Sequence, residues 1–168
     1  MTSILKVDTI QNSTGTDALS IDSNGYVTQA KLPVFLAVPS TSEITLTTTH
    51  SQIVFGTAKI NSGNHYNTTT GEFTCPVDGI YEFGITSIGN GTATVYRLRP
   101  YKNGASIDDW EWRGVSAGAY TTNGELCIYV ECSAGDVISL YGRSDDGTNL
   151  YGIQSGFLYV YFRGRLVG

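Results

Sequence analysis

An all-β sandwich, jelly roll or barrel is the fold class that this 168-residue sequence predicts, on three observations. Short runs alternate apolar and polar residues with the period of two that a sheet with one buried face requires. Asn-Gly, Asp-Gly and Ser-Gly pairs punctuate those runs, and they supply the positive φ that tight turns need. No long stretch repeats apolar residues at the three-and-four spacing of an amphipathic helix.

Residues 1 to 31, "MTSILKVDTIQNSTGTDALSIDSNGYVTQAK", hold two or three very short strands around "NSTG" and "DSNG". Such a segment is too small to bury a core by itself. Three copies wound together would bury one, each covering the backbone edges of the others. Beyond it, "IYEFGIT" places Tyr81, Phe83 and Ile85 on one strand face, and "LCIYVE" does the same for Leu126, Ile128 and Val130. "VISLYG" alternates likewise. "SNG", "SGN", "VDG", "GNG", "KNG", "TNG", "SAGD" and "DDG" separate the runs and account for many of the 20 glycines. Many short strands at such spacing belong to sandwiches and barrels.

In "SGFLYVYFRG" both faces of the last strand are apolar or aromatic: Phe157, Tyr159 and Tyr161 on one, Leu158, Val160 and Phe162 on the other. A sandwich strand has one core face, so the second must be covered. A partner subunit is the economical cover, because aromatic surface left in water forgoes roughly 25 cal/mol per Å².

Composition sets the outer limits. Hydrophobic residues make up 40% and charged residues 15% of the chain, which places it outside the disordered class. A formal charge of −5 argues against nucleic acid and against a general polyanion-binding role. The start "MTSILKVDTI" lacks the basic and apolar regions of a secretory signal, and no apolar run nears the ~20 residues of a membrane helix. A chain folded in a cytosol, with no membrane insertion, is the expectation. Cys75, Cys127 and Cys132 form no CxxC pair and are read as buried reduced thiols. No zinc site is expected from them with His50 and His65.

Phe55, Asn61, Tyr66, Phe73, Gly79, Tyr81 and Phe83 keep a fixed set of intervals that includes the stretch "GEFTCPVDGIYEFGIT". This set resembles the signature of the complement component 1q globular-head family, kin to the tumour necrosis factor superfamily. The signature ends in an aromatic residue where this chain has Ile85, which is still apolar. The resemblance covers about residues 32 to 168. It implies a jelly roll of ten strands that assembles as a homotrimer, in keeping with the two-faced last strand. The trimer interface would then include Phe157, Tyr159 and Tyr161, and the signature residues would be scaffold.

"ILKVDTIQNSTGTDALSIDSNGYV" in turn resembles the opening of fibre, collar and other appendage proteins of tailed phages, marine and cyanobacterial ones above all. That resemblance implies a virion-attachment or trimerisation segment over residues 1 to 31, ahead of the head at 32 to 168. Vertebrate members of the head family carry a signal peptide and collagen repeats at this place, and this sequence shows neither there.

Among candidate sites, "IDDWEWRG" leads: Trp110 and Trp112 on one strand face among Asp108, Asp109, Glu111 and Arg113. An aromatic platform beside carboxylates stacks on sugar rings and bonds their hydroxyls, against the plainer reading of packing tryptophans. In "GRSDDGTNLYG", Asp145, Asp146 and Asn149 offer oxygen ligands for calcium, against the plainer reading of a solvated turn. The Asn-x-Ser/Thr matches at Asn12, Asn67 and Asn90 are read as chance in a chain without a secretory route. Neither histidine has a partner motif and no serine sits in a nucleophile elbow, so no enzyme is expected. These readings converge on a trimeric virion protein of a tailed phage, a fibre or decoration protein. It would attach to other virion proteins through residues 1–31, and its head would meet host-surface polysaccharide or stabilise the particle. The alternative is a secreted trimeric ligand or lectin-like binding module of the same head family.

Overall fold

The computed structural model describes residues 6–29, 31–90, 94–107, 110–116, 121–147, 149–154 and 157–168. At 94, 116, 121–124, 153–154 and 157–158 it describes the backbone alone. The chain divides into two compact units, Met1–Leu32 and Pro33–Gly168.

The first unit is an antiparallel meander of β1 (Thr9–Gln11), β2 (Asp17–Ile21) and β3 (Val27–Thr28). Its two turns are built by short polar side chains that bond the backbone ahead of them. Asn12 Oδ1 accepts the N–H groups of Thr14 and Thr16 at 3.0 and 2.9 Å. Asp22 Oδ1 accepts those of Asn24 and Tyr26 at 2.9 and 2.8 Å, which holds its carboxyl below the usual range. Gly15 and Gly25 close the turns at φ 80° and 85°, where a Cβ would be strained. Ile10, Tyr26 and Val27 all stand exposed.

In the second unit, β4 (Val34–Val38), β5 (Glu43–Thr45), β6 (Ser51–Ile53) and β7 (Thr57–Asn61) lead through a 3-10 turn at Ser62–Asn64. Then come β8 (Tyr66–Asn67), β9 (Glu72–Thr74) and the long β10 (Gly79–Asn90). β11 (Thr94–Lys102), β12 (Ala105–Ser106), β13 (Trp112–Ser116), β14 (Thr121–Cys132) and β15 (Val137–Ser144) follow. The chain closes with β16 (Asn149–Tyr151), a hairpin of β17 (Ile153–Gln154) and β18 (Phe157–Leu158), and β19 (Tyr161–Leu166). The first sheet runs β5-β16-β10-β19-β4-β7, with β14 on the free edge of β10. The second runs β12-β11-β15-β9-β8, with β13 on β11 and β6 on β15. The two sheets make the jelly-roll sandwich.

Alternation decides which side chains meet between the sheets. Tyr81, Phe83 and Ile85 of β10 point inward, as do Tyr96 and Leu98 of β11, Ile128 of β14, Ile138 and Leu140 of β15, and Phe162 of β19. Phe35 is the hub. Its ring stacks on Tyr66 at 4.8 Å and on Phe73 at 4.7 Å, and meets Phe162 edge-on at 5.0 Å. Offset and edge-to-face pairs of this kind add to the burial of the rings themselves. Phe35 lies opposite Gly164 in the β4–β19 ladder, where a Cβ would come within 2.5 Å of its Cε1.

The spaced residues around "GEFTCPVDGIYEFGIT" are packing and turn positions. Phe55 and Phe73 are fully buried. Asn61 clasps the Tyr66 backbone from both sides, Nδ2 donating to Tyr66 O at 2.8 Å and Oδ1 accepting Tyr66 N–H at 3.0 Å. The Tyr66 hydroxyl donates to Phe55 O at 3.2 Å, and burial raises its pKa to about 12. Tyr81 donates to Val77 O at 2.9 Å and so ties down the turn ahead of β10. Gly79 ends that turn where a Cβ would stand 2.7 Å from the Gly168 carbonyl oxygen.

Candidate functional site

The outward face of the second sheet gathers charge. Arg97 and Arg99 of β11 alternate with the buried Tyr96 and Leu98, so both guanidinium stems leave the sheet on the solvent side. Register then sets Arg97 opposite Arg113 of β13 on one flank and opposite Arg143 of β15 on the other. Three arginines thus lie abreast across three strands. Two carboxylates are threaded among them. Glu111 pairs with Arg99 at 2.6 Å and with Arg97 at 3.5 Å. Asp145 pairs with Arg97, and with Arg143 at 3.8 Å. The Arg97 guanidinium holds the Asp145 carboxyl below its ordinary range. Arg113 is exposed and makes no ion pair among the described residues.

One step along the strands, Arg99 faces Tyr141, which in turn faces Gln52 of β6. Tyr141 stacks on Tyr101 with ring centroids 3.9 Å apart. His50 is half-buried, and its Nε2 has no hydrogen-bond partner among the described residues. Burial, Arg99 and Arg143 together lower its pKa, so it is neutral at pH 7.

The "IDDWEWRG" stretch departs from the expected platform. Trp112 lies in β13 opposite Leu98 and packs against the core, its Nε1 buried. Trp110 lies outside the strand and is 47% exposed, so the two do not share a strand face. The physical reason is the strand start: β13 begins at Trp112, and the alternation that would align Trp110 with it has not yet begun. Glu111 and Arg113 flank the inward Trp112 and join the charged face. Asp108 and Asp109 lie outside the described residues.

The oxygen-rich stretch is committed elsewhere. Asp145 belongs to Arg97, and Asn149 Nδ2 donates to Glu43 Oε2 at 2.7 Å. No group of three or more His, Cys, Asp or Glu suited to a metal occurs among the described residues. Asn90 Nδ2 donates to Glu43 Oε1.

On the first sheet, the outward face of β19 begins with Tyr161 and continues as Arg163 and Arg165. These meet Glu82 of β10, at 2.5 Å from Arg163 and 3.1 Å from Arg165, and Arg163 reaches Glu125 at 2.7 Å. Those bonds hold the Glu82 carboxyl down to about 2, Arg163 contributing most. Beside them a shallow groove of ≈ 150 Å³ is lined by Val34, Leu36, Ile60, Arg163 and Arg165. The final strand is not continuous through "SGFLYVYFRG", because it breaks at Tyr159 and Val160 between β18 and β19. Val160 and Phe162 are core; Tyr159 packs on the core and on Tyr151 with ring centroids 6.1 Å apart. The side chain of Phe157 is outside those described. Cys75 and Cys132 are buried free thiols, whereas Cys127 is exposed, opposite Gly84 on the outward face of β14. The all-buried expectation fails there, because even alternation from Ile128 turns its neighbour outward.

Residues 34–108 match the C1q domain model. Complement C1q tumor necrosis factor-related protein 5 of Rattus norvegicus is 34% identical over 117 residues, which is 62% of this chain and 44% of that protein. The Homo sapiens protein of the same name is 33% identical over 117 residues, with the same shares of 62% and 44%. This chain therefore spans less than half the length of the curated relatives it matches. Among solved structures, the globular domain of zebrafish complement 1qA protein superposes with a TM-score of 0.56 at 16% identity, covering 82% of this chain and 98% of that one. Murine APRIL superposes with a TM-score of 0.55 at 12% identity, covering 82% and 100%. The second unit accordingly has the jelly-roll fold of those two structures, and residues 34–108 within it match the C1q domain model.

Proposed function

We propose that this chain is a non-enzymatic, ligand-binding head that acts as a homotrimer in the manner of a secreted C1q and tumour necrosis factor-related module. The observation that carries the reading is the outward face of the first sheet. There Val34, Leu36 and the half-exposed Ile60 border a groove, next to Tyr161 and an ion network in which Glu82 is 5% exposed. An apolar patch rimmed by satisfied charges is what a subunit contact needs. The C1q-domain match and the two jelly-roll neighbours support the same assembly. Three copies would raise the avidity of weak individual sites, since the second contact becomes intramolecular once the first is made.

A second reading is favoured by the amino-terminal unit. Met1–Leu32 is compact in its own right, with three short strands and exposed Ile10, Tyr26 and Val27. That is the form of an adaptor awaiting partners, and it supports a trimeric appendage of a tailed phage, joined to other virion proteins through this unit. Native mass spectrometry of the full chain tests the trimer in either setting: three copies are expected, and Tyr161→Glu should shift the mass toward one copy, because it would bury a charge without a partner. A monomer at micromolar concentration, or a trimer untouched by Tyr161→Glu, refutes the assigned face. An antibody to the head separates the settings, since it should label sedimented particles in the phage reading and soluble protein in the other.

A further inference from the structure

We propose that the outward face of β13, β11 and β15 binds an acidic polysaccharide, with Arg113 and Arg143 holding its oxyanion groups on either side of Arg97, which Glu111 and Asp145 hold in place, and the Tyr101–Tyr141 pair packing its sugar rings. This names a ligand class for the head and so rests on the binding-module reading above.

The starting point is the row of three arginines. Like charges directly opposite each other weaken a sheet, so a row of three cations works against the fold that carries it. Glu111 and Asp145 offset part of that by pairing with Arg97, Arg99 and Arg143, and among the described residues they form no ion pair with Arg113. The chain as a whole has formal charge −5 and only 10 lysines and arginines. Four of those cations stand on one patch of one sheet, and Arg113 has no ion-pair partner there among the described residues.

The patch has the dimensions of an extended ligand. Three strands at about 4.8 Å spacing make the arginine row about 10 Å wide, and four residues at about 3.3 Å place Tyr101 about 13 Å along from Arg97. A planar guanidinium recognises carboxylate and sulfate oxygens by two parallel bonds. Glu111 and Asp145 orient the arginines from the side and add acceptors for sugar hydroxyls. Alternating cations and carboxylates beside an aromatic pair suit a chain that carries both hydroxyls and acid groups. They suit a nucleic-acid duplex poorly, which brings about one negative charge per 1.7 Å and would meet those carboxylates head-on.

The test is calorimetric titration of the full chain at low salt with heparin, polygalacturonate, duplex DNA and dextran, on a preparation whose native mass is measured in parallel. Binding to heparin or polygalacturonate is expected, with dextran inert and DNA weaker. Heparin alone would identify sulfate as the recognised group, and polygalacturonate alone a uronate. Arg113→Gln and Arg143→Gln should each weaken binding about tenfold, the loss of one charge-assisted contact. Lys59→Gln removes the same charge from an exposed position of β7 in the other sheet and should change binding less than about twofold. Failure of both acidic chains to bind overturns the proposal, as does equal binding to dextran or DNA. An equal effect of Lys59→Gln and Arg113→Gln also overturns it, since net charge would then suffice. A trimer that binds neither acidic chain sinks this surface alone; a monomer that binds them sinks the trimer and keeps the surface.

Discussion

Phe35→Ala should remove more stability than any change at the protein surface, and its size can be worked from the core. The ring is 1% exposed and sits against four aromatic neighbours, Tyr66, Phe73, Phe83 and Phe162. Truncating a buried phenylalanine costs about 3–5 kcal/mol from lost transfer energy and the cavity left behind. The two close stacking partners, Tyr66 and Phe73, place this site toward the upper end, since each such pair adds about 0.5–1.5 kcal/mol. A domain of this size is stable by about 5–15 kcal/mol, so the variant should fold with a much reduced margin. Gly164 supplies the internal control. Gly164→Ala alone crowds Phe35 and Phe83 and should cost about 1–3 kcal/mol. In the Phe35→Ala background the nearest of the three crowding contacts is gone, so the two changes should couple by about 1 kcal/mol. Guanidinium unfolding at matched protein concentration measures all four proteins, with the slope m unchanged. A loss below about 2 kcal/mol for Phe35→Ala, or strict additivity with Gly164→Ala, would refute the hub assigned to this ring.

Two further outcomes are expected. Glu82 is held at about 2 by Arg163 and Arg165, so the native state resists protonating it while the unfolded chain does not. The stability it contributes is therefore present above the ordinary glutamate pKa of about 4.3 and is lost as pH falls toward 2. Glu82→Gln should flatten that acid limb in unfolding curves taken between pH 6 and 2, and an unchanged limb would show that other carboxylates govern it. The tryptophans should also separate: Trp112→Ala should cost about 3–5 kcal/mol of stability because it empties core packing, whereas Trp110→Ala should stay within about 1 kcal/mol. Equal destabilisation by both would contradict the inward and outward placements found here.

The sandwich was legible wherever strand alternation alone settles the matter. Tyr81, Phe83 and Ile85, and Ile128 with Val130, lie inside as period two requires. The Asn12 and Asp22 turns likewise follow from short polar side chains beside glycine. Reading failed where an element had to begin or end. Trp110 precedes β13 rather than sharing its face with Trp112, and the closing aromatic run is split between β18 and β19. Strand limits depend on which backbone a neighbour offers for pairing, and the alternation within one run does not carry that information.

Charge was where composition said least. A net −5 is a sum over the chain and carries no position, so it does not show which cations share a face. The order of residues by itself determined the strands, the turns, the inward aromatic set and the glycines that must stay small, since these depend on side-chain alternation and on local backbone freedom. Only the tertiary structure decided that Arg97, Arg113 and Arg143 lie abreast, that Asp145 belongs to Arg97, and that Glu82 is locked between two arginines of the last strand. Those contacts join residues 16 to 83 positions apart, and register across a folded sheet is the physical agency that brings them together.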